Sequence, residues 1–568
     1  MASGAAAEAP ADRILHGGRV HTMDPARPDA TAVAIRGDRI LKVGTDAEVL
    51  KLRGAATKVV PLEGRLALPG FIDAHTHFEN AIDWRFRLGL HGIAETGALA
   101  DRLAGAVRGV PAGTWIVGGD VGASAAWEAE ARKAPLPLPL TPDLRAIDAV
   151  TPDHPVLIRR HDLAYFANSA ALGRARWGRA TPDPRGGRIG RDPATGELTG
   201  MLYGRAGERI AELIPPPTMA LKLVGARGAL ADLAAAGITS IHDVARLDAV
   251  TQGQIFHTDV ERSATNVDIF RELQRRGELT TRVYAFLTLP LWKQVVAAGI
   301  RPRTDEGLIR FGALKGFIDG FLMEQPYADD PHFAGEFSFR FTTVEDMERA
   351  VVGADRNGFD PVVHTIGDKA HRLLLDWYES AIRQNPARDR RFRIIHAWYP
   401  SAADIARAGR LKLIADITPQ HMARGARSVE RSLGPERART AHAWRQLKNA
   451  GVRLDIVSDW PGSYNEQEPT PLAPLENIYM AVTRQGLDGR PAGGWHPDER
   501  LTVEEALEAY TVNPAFASYE EGRKGSIVEG RLADIVVLSR DILAGPPEDI
   551  RQTQVDYTIL GGRIVHQR

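Results

Sequence analysis

The chain has 568 residues, a net charge of −1 at pH 7 and no cysteine, with 44% hydrophobic and 25% charged residues. These fractions are ordinary for a globular protein. The balanced charge gives no electrostatic basis for binding nucleic acid or an anionic membrane, and the lack of cysteine excludes disulfides and thiolate metal sites. No apolar run approaches the ~18 residues of a membrane span. We therefore expect a cytoplasmic protein with a small-molecule substrate and neither a nucleic-acid nor a membrane partner, and we leave a homodimer open.

Short strand patterns broken by glycine turns lie at both ends of the chain. The apolar pieces are Val33–Ile35, Ile40–Val43 and Lys58–Val60 near the start, and Asp534–Leu538 and Tyr557–Leu560 near the end. Neither end is long enough to bury a core alone, and chain termini often lie close together. The sequence therefore predicts one small β-sandwich domain formed by residues 1–66 and 525–568.

The apolar segment Leu66–Ala74 leads directly into His75 and His77. Side chains in a strand alternate, so the two histidines point to the same side. Imidazole nitrogen is a common zinc ligand, and a pair at a strand end can hold a divalent metal. Two surface histidines in a loop would give the same pattern, so the interpretation depends on whether the later strands also end in metal ligands.

The middle of the chain, residues 67–524, contains eight apolar segments typical of buried parallel strands, with helical patterns between most of them. Eight such units predict a (β/α)8 TIM-type barrel, an α/β fold. The alternative is an open doubly wound sheet, but no Gly-x-Gly-x-x-Gly turn follows the first strand. The predicted strands are Leu66–Ala74, Ile238–Ile241, Arg282–Leu289, Leu308–Phe317, Pro361–Val363, Phe392–Ile395, Lys412–Ile417 and Arg453–Val457.

The connection after the first predicted strand is far too long for a simple crossover. It spans about residues 80–217 and includes its own strand-like pieces, Trp115–Gly118 and Val156–Arg159. Loops that follow barrel strands build the active site of such a fold. We therefore expect an insertion domain beside the barrel mouth that contributes to substrate choice.

Polar side chains with metal or proton chemistry fall at or near the ends of four further strands: Lys315, His364, His396 and Asp459. Each alone has a structural explanation, such as a hydrogen-bonded histidine or an aspartate that caps a helix. A lysine inside an apolar strand is harder to explain, because its burial is costly unless it is paired or modified. Barrel active sites lie at the carboxyl ends of the strands, so the set predicts a metal site there.

The order His-x-His, Lys, His, His, Asp on strands one, four, five, six and eight resembles the amidohydrolase superfamily of metal-dependent hydrolases. Five local motifs are similar to its N-substituted formamide deformylase-like (YtcJ-like) branch. One departure concerns the segment where the branch often has Asp-Gly-His, because this chain has His161–Asp162–Leu163, which puts substrate preference in doubt. The five motifs are Leu68–His77, Asn168–Leu172, His364–Ala370, Ser458–Pro461 and Tyr510–Ala515.

The resemblance implies two divalent ions, expected to be Zn²⁺, bridged by an N6-carboxylated Lys315. His75, His77 and Asp459 would hold one ion, and His364 and His396 the other. Ligands of this kind also suit Mn, Co, Ni or Fe. A metal lowers the pKa of its water towards ~7, and the resulting hydroxide attacks while Asp459 acts as general base and then acid. The implied reaction is hydrolysis of an amide-type C–N bond other than a peptide bond, in an N-formyl or N-acyl amine.

Residues beyond the later strands and within the insertion are candidates for substrate contact. Aromatic side chains at a barrel mouth form pockets for apolar groups, although the same side chains also pack loops. The candidates are His161, Asp162, Tyr165, His242, Trp398, Gln420, His421, Trp460 and Tyr464.

Three other functions compete with amide hydrolysis. A single-metal deaminase would use the same histidines and aspartate but would not need Lys315. The same site could act on an ester, a carbamate or a cyclic amide, which the sequence does not separate from an amide. A binding protein on an inactive barrel is disfavoured because every expected ligand is present.

Overall fold

The structure is a computed structural model that describes residues 10–90, 93–121, 140–160, 164–215, 217–245, 266–319, 323, 343–462 and 472–568. Within these residues, eight parallel strands pair in chain order, and a bridge between Thr76 and Trp460 links the two edges. This nearly closed barrel confirms the predicted TIM-type fold. Its strands are β1 (Phe71–Thr76), β2 (Ile238–Val244), β3 (Arg282–Thr288), β4 (Ile309–Phe317), β5 (Asp360–Thr365), β6 (Arg393–His396), β7 (Ile414–Ile417) and β8 (Arg453–Ile456).

Helices connect the barrel strands, and several begin where the sequence provides a capping side chain. Thr343 and Ser401 each accept a hydrogen bond from a backbone N–H of the helix that follows. The helices are Asp46–Val49, Phe78–Trp84, Thr96–Ala106, Leu144–Val150, Ser169–Arg174, Arg205–Ala211, Met219–Ala235, Asn266–Arg275, Trp292–Ala297, Val344–Arg356, Asp368–Gln384, Ala402–Arg410, Pro419–Ala438, Trp444–Asn449, Pro474–Thr483, Val503–Tyr510 and Val512–Ala517. In the described residues, we find no helix that combines the length and the apolar character needed to span a bilayer.

The two ends of the chain build one mixed sheet of eight strands beside the barrel. Its cores include Leu15, Val33 and Ile535, which lie next to one another although they are distant in sequence. The prediction of an additional β domain formed by both ends is confirmed, whereas the boundaries given for the two domains stay a prediction. The strands are Ala11–His21, Asp29–Arg36, Arg39–Gly44, Arg53–Pro61, Leu66–Pro69, Ile535–Leu538, Val555–Leu560 and Arg563–Gln567.

The apolar segment that the sequence predicts as one strand, Leu66–Ala74, divides between the two sheets. Leu66–Pro69 pairs with Ile535–Leu538 in the terminal sheet, and Phe71–Thr76 begins the barrel. The change occurs at Gly70, where an added Cβ would lie 2.3 Å from Thr239. A glycine is required there because the chain passes so close to β2.

The insertion between β1 and β2 has a sheet of its own. Its six described strands contain both pieces expected from the sequence, now at Ile116–Val121 and Val156–Arg160. Helices Thr96–Ala106 and Leu144–Val150 contribute apolar side chains to the core that covers this sheet. The other strands are Leu88–Gly89, Tyr165–Ala167, Gly187–Arg191 and Leu198–Gly204.

Strand β4 is less regular than its sequence suggests. Its register against β3 shifts between Phe311 and Ala313, so the two residues do not occupy one face. Ala313 packs inside the barrel with Tyr284 and Phe286, while Phe311 belongs to the larger core that includes the helices. Simple alternation along the sequence predicts that Lys315 shares a face with both Phe311 and Ala313, and the register shift makes this prediction wrong for Phe311.

Candidate metal centre

The barrel brings the six candidate ligands to its carboxyl end. His75 lies on β1, Lys315 on β4, His364 on β5 and His396 on β6, while His77 and Asp459 follow β1 and β8. His75, Lys315, His396 and Asp459 are buried, with relative exposures of 0%, 2%, 3% and 5%. His77 and His364 are half-buried. These side chains therefore form the floor of a site that opens towards the barrel mouth.

Two histidine nitrogens meet at the Asp459 carboxylate, and the Lys315 amine lies next to one of them. The Nε2 atoms of His75 and His77 lie 3.1 Å and 3.2 Å from Oδ1 of Asp459. The Nζ atom of Lys315 lies 3.3 Å from Nε2 of His75. Ligand atoms of His75, His396 and Asp459 all lie within 4.8 Å of one another, which is close enough to surround one cation.

His364 and His396 form the adjoining half of the site. Their ring centroids are 4.5 Å apart in an edge-on arrangement, and the ring of His396 lies 5.8 Å from that of His75. The Nδ1 atom of His396 lies 3.3 Å from the hydroxyl of Thr418. Such a contact fixes the ring and leaves the other nitrogen for a ligand.

Burial sets the protonation of these groups. It lowers the pKa of His364 to about 3 and holds the pKa values of His75 and His396 well below the ordinary range, with the charge of Lys315 contributing to each shift. Burial also lowers the pKa of Lys315 to about 7. Burial alone would raise the pKa of Asp459, but the close imidazoles of His75 and His77 hold it well below its usual value. Neutral imidazoles beside an ionised carboxylate are the state that metal binding requires.

The arrangement fits a divalent metal. Nε2 of His75 and Nε2 of His77 both face the same carboxylate oxygen, and neutral imidazoles can direct lone pairs there. Among the described residues, Oδ1 of Asp459, which the Nε2 atoms of His75 and His77 face, has no hydrogen-bond partner although it is buried. A cation between these atoms would satisfy lone pairs that the protein leaves unpaired.

The backbone around the site is held in unusual conformations. Asp459 and His396 have φ angles of +58° and +73°, values that non-glycine residues rarely adopt. The N–H of Asp459 donates to the carbonyl of His75 at 3.0 Å, and the N–H of His77 donates to the carbonyl of Trp460 at 2.7 Å. These bonds join the ends of β1 and β8, so the strained conformation of Asp459 is fixed by the closure of the barrel.

Comparison with known proteins identifies the family. The model described as "Amidohydrolase family" matches residues 58–566, which is nearly the whole chain. The chain belongs to this family. It is therefore a metal-dependent hydrolase of the amidohydrolase type, as the order of its ligands predicts.

The amidohydrolase assignment is supported by full-length relatives. Protein LONG AFTER FAR-RED 3 of Arabidopsis thaliana is 31% identical over 97% of this chain and 91% of the relative. The amidohydrolase YtcJ of Bacillus subtilis, whose description carries the qualifier "putative", is 28% identical over 98% of this chain and 99% of the relative. The N-substituted formamide deformylase of Arthrobacter pascens is 28% identical over 98% of both chains.

Solved structures show the same fold. An uncharacterised metal-dependent hydrolase from Pyrococcus horikoshii superposes with a TM-score of 0.72 at 21% identity, over 94% of this chain and 99% of that chain. A second one, from Pyrococcus furiosus, gives a TM-score of 0.70 at 23% identity over the same shares.

Aromatic candidates lie next to His396 and Asp459 in this amidohydrolase. The ring of Trp398 lies 5.9 Å from that of His396 and 5.2 Å from that of His421. Burial lowers the pKa of His421 to about 4, so this ring is neutral at pH 7. Trp460 is 7% exposed and directly follows Asp459, and the amide of Gln420 donates to the carbonyl of Ser458. Gln420 therefore supports the loop that carries Asp459.

The other substrate candidates lie elsewhere or outside the described residues. His242 is fully buried in the barrel and its Nδ1 lies 2.9 Å from a guanidinium nitrogen of Arg393. Tyr165 belongs to the insertion sheet, where its ring packs against Gly207. Their roles in substrate binding stay predictions, as do those of the candidates outside the described residues, which are His161, Asp162 and Tyr464.

Sequence reasoning missed the buried carboxylates that hold the loops around the ligands. Oδ1 of Asp73 accepts backbone N–H bonds from His75 and Ser458, at 3.3 Å and 3.1 Å. Asp319 accepts the N–H groups of Ile366 and Gly367, at 3.0 Å and 2.8 Å, and so fixes the turn after His364. The available signal was an aspartate close to a strand end, which in sequence also fits an ordinary helix cap.

Proposed function

We propose that this enzyme hydrolyses an amide-type C–N bond, most simply that of an N-formyl or N-acyl amine, at a centre of two zinc ions. The observation that carries the proposal is the convergence of His75 and His77 on Asp459 with Nζ of Lys315 3.3 Å from His75. Oxygen and nitrogen ligands without thiolate suit zinc in a catalytic site.

We assign the ligands to two sets, one for each ion. His75, His77 and Asp459 share one group of contacts and would hold the first ion, while the adjoining rings of His364 and His396 would hold the second. When bound, the ions lower the pKa of water and polarise the substrate carbonyl.

Lys315 is suited to become the bridging ligand. As an ammonium group it would repel both ions, since unit charges ~4 Å apart interact by ~4 kcal/mol at an effective dielectric of 20. Burial lowers its pKa to about 7, which makes the neutral amine available. The amine nitrogen can then form a bond to the carbon of CO₂ with release of one proton, and the resulting carbamate is an anionic oxygen ligand.

Asp459 is the proposed proton carrier. Its carboxylate stays ionised in its buried position, so it can accept a proton from the attacking water. The same group then delivers a proton to the leaving nitrogen. The contacts to His75 and His77 fix the carboxylate while this transfer occurs.

The substrate's apolar part would lie against the rings beyond β6 and β7. Trp398 and His421 present an edge-on pair whose ring centroids are 5.2 Å apart, next to His396. A wall of this type suits an apolar or aromatic amine substituent. The name of the 28% identical relative, N-substituted formamide deformylase, supports the same choice of substrate.

The test combines metal analysis with a substrate panel. Protein purified without chelator is assayed for bound metal. Metal-replete wild type and Lys315→Ala are given N-formyl, N-acetyl, carbamate and ester chromogens of matched amine or alcohol, together with amino-heterocycles. We expect about two ions per chain and the highest kcat/KM on an N-formyl or N-acyl amine. The opposite result would be turnover of amino-heterocycles with one bound ion per chain. If loss of Lys315 did not reduce this turnover, the enzyme would be a single-metal deaminase.

A further inference from the structure

The carboxyl group of Asp243 lies next to the metal centre but has no part in the chemistry proposed above. Asp243 is on β2 and has a relative exposure of 0%. A buried carboxyl group is costly unless donors surround it. Its hydrogen bonds therefore indicate what it does.

Two of these bonds reach the residues on either side of His77. Oδ1 of Asp243 accepts the hydroxyl of Thr76 at 3.0 Å and the backbone N–H of Phe78 at 2.7 Å. Thr76 and Phe78 are themselves fully buried. One carboxylate oxygen on β2 thus holds the side chain before and the backbone N–H after a proposed ligand that lies at the end of β1.

The second oxygen is held just as firmly. Oδ2 of Asp243 accepts the side-chain amide of Asn266 at 2.6 Å, and the same amide donates to the carbonyl of Val244 at 3.0 Å. Asn266 is fully buried at the start of helix Asn266–Arg275. The carboxyl group therefore has a fixed orientation that does not depend on its bonds to Thr76 and Phe78.

The local backbone shows why such support is needed. His77 stands at the cap position of helix Phe78–Trp84 with φ −120° and ψ 67°, and its side chain makes no capping hydrogen bond. A side chain at that position ordinarily satisfies one of the first free N–H groups of the helix. Here Asp243 accepts the N–H of Phe78 instead, which leaves the His77 ring directed at Asp459.

We propose that Asp243 is a positioning residue that orients His77 towards the metal, an inference that rests on the metal centre proposed above. The group acts through Thr76 and Phe78 and touches neither metal nor substrate. Partners of this kind typically change metal affinity by ~10–100-fold when they are removed.

The test measures metal binding by the full-length, metal-free protein rather than its activity. Co²⁺ and Zn²⁺ are titrated against a chromophoric chelator, and the visible absorption of the Co²⁺ form reports the coordination geometry. For Asp243→Asn we expect affinity for the tighter ion to fall by ~10–100-fold with an altered Co²⁺ spectrum. The control is Asp143→Asn, because Asp143 caps helix Leu144–Val150 in the insertion in the ordinary way. This control should bind metal as the wild type does.

A reciprocal exchange separates positioning from general stability. In Asp243→Asn the new amide faces the amide of Asn266, so two donors oppose each other. Adding Asn266→Asp restores an acceptor there, although it gives up the bond to the carbonyl of Val244, while the amide oxygen at position 243 still accepts the bonds from Thr76 and Phe78. We expect the double variant to recover at least about half of the lost affinity on a logarithmic scale, and to regain the wild-type Co²⁺ spectrum.

Each outcome decides the inference. Wild-type affinity and spectrum in Asp243→Asn would overturn it, even if the variant melts at a lower temperature. If Asp243→Asn does not fold, Thr76→Val removes only the hydroxyl donor and should weaken binding by about fivefold, the equivalent of one hydrogen bond, whereas unchanged affinity would overturn the inference. His77→Ala is the reference variant. Unchanged metal binding in His77→Ala would contradict the metal centre itself. Weakened metal binding in His77→Ala together with unchanged metal binding in Asp243→Asn would contradict only the role of Asp243.

Discussion

The two ends of the barrel differ in how their buried polar groups are paired. At the amino ends of the strands, Asp360 accepts the hydroxyl of Tyr519 at 2.7 Å and lies 2.9 Å from a guanidinium nitrogen of Arg388. Near the same end, Arg282 donates to both oxygens of Asp534, at 2.7 Å and 3.0 Å. Each charge is paired with an opposite charge of the protein, which is how buried ions are normally stabilised.

At the carboxyl ends, three acceptor side chains lie together beside one lysine. His75, His77 and Asp459 converge as acceptors, and the nearby Lys315 amine carries a pKa lowered to about 7. No protein cation is recorded between these atoms in the described part of the chain. The difference indicates that the amino end of the barrel is complete by itself, whereas the carboxyl end has an arrangement that suits a bound metal.

Two buried lysines make this contrast testable within one residue type. Lys315 and Lys524 have relative exposures of 2% and 3%. Nζ of Lys524 lies 2.7 Å from Oε2 of Glu520 and donates to the hydroxyl of Ser240 at 2.8 Å. Substitution of the first should therefore affect metal and turnover, and substitution of the second should affect stability.

The largest effect is expected for Lys315→Ala. Loss of the bridging group should remove bound metal and reduce turnover by more than ~10⁴-fold, beyond the usual effect of losing one general base. Metal content by mass spectrometry and kcat are the measurements. The space left by the side chain should accept a short carboxylate, so formate, acetate or propionate at tens to hundreds of millimolar with zinc should restore part of the activity.

The control for this rescue is chloride at equal ionic strength, which supplies no bridging oxygen pair and should restore nothing. Full metal content and near wild-type turnover in Lys315→Ala would contradict the bridging role. So would an unmodified lysine in active, metal-replete wild-type enzyme, examined by carbon-13 NMR after growth with labelled bicarbonate.

The next effect is expected for Asp459→Asn. The amide is close in shape and keeps one oxygen for the metal, but it cannot accept a proton from water. We expect kcat to fall by ~10²–10⁴ with most of the metal retained. Retention of more than about a tenth of wild-type kcat at full metal content would show that another group is the base.

A smaller effect is expected at the amino end of the barrel, for Lys524. Lys524→Met leaves Glu520 buried without its cation, and breaking a buried pair in this way typically costs ~3–5 kcal/mol of unfolding free energy. Chemical denaturation measures this loss. Metal content and kcat per folded molecule should stay as in the wild type, and a loss of metal would mean that the two ends are coupled.

The sequence predicted those parts of the fold that depend on continuous burial. The eight strands were recognisable because both faces of a barrel strand are covered, and residues such as His364 and His396 could be placed because they stand at strand ends. The division of one apolar run at Gly70 was not predictable, because it depends on the approach of Thr239 from β2. The shift in β4 near Gly312 escaped prediction for a similar reason.

The supporting groups of the site lay beyond sequence reasoning on physical grounds. Asp73, Asp243 and Asp319 act on backbone N–H groups, and those bonds connect residues up to 385 positions apart. Alternation along a strand says which side chains share a face but not which N–H group of another strand lies opposite. Only the closed barrel brings donor and acceptor together.

The smallest expected effect is a pH dependence that distinguishes Lys315 from the paired groups. Burial lowers the pKa of Lys315 from 10.5 to about 7, so in metal-free protein this residue is neutral when folded and protonated when unfolded between those values. The unfolded state therefore binds more protons in this window, and stability rises as pH increases through it.

In CO₂-free buffer with chelator, the wild type should gain up to about 1.4 kcal/mol per pH unit relative to Lys315→Met between pH 7.5 and 8.5. Lys524 is present in both proteins, so its contribution cancels in the difference. Urea denaturation at the two pH values gives the measurement, and parallel stability curves for the two proteins would mean that Lys315 is not held as the neutral amine that carboxylation requires.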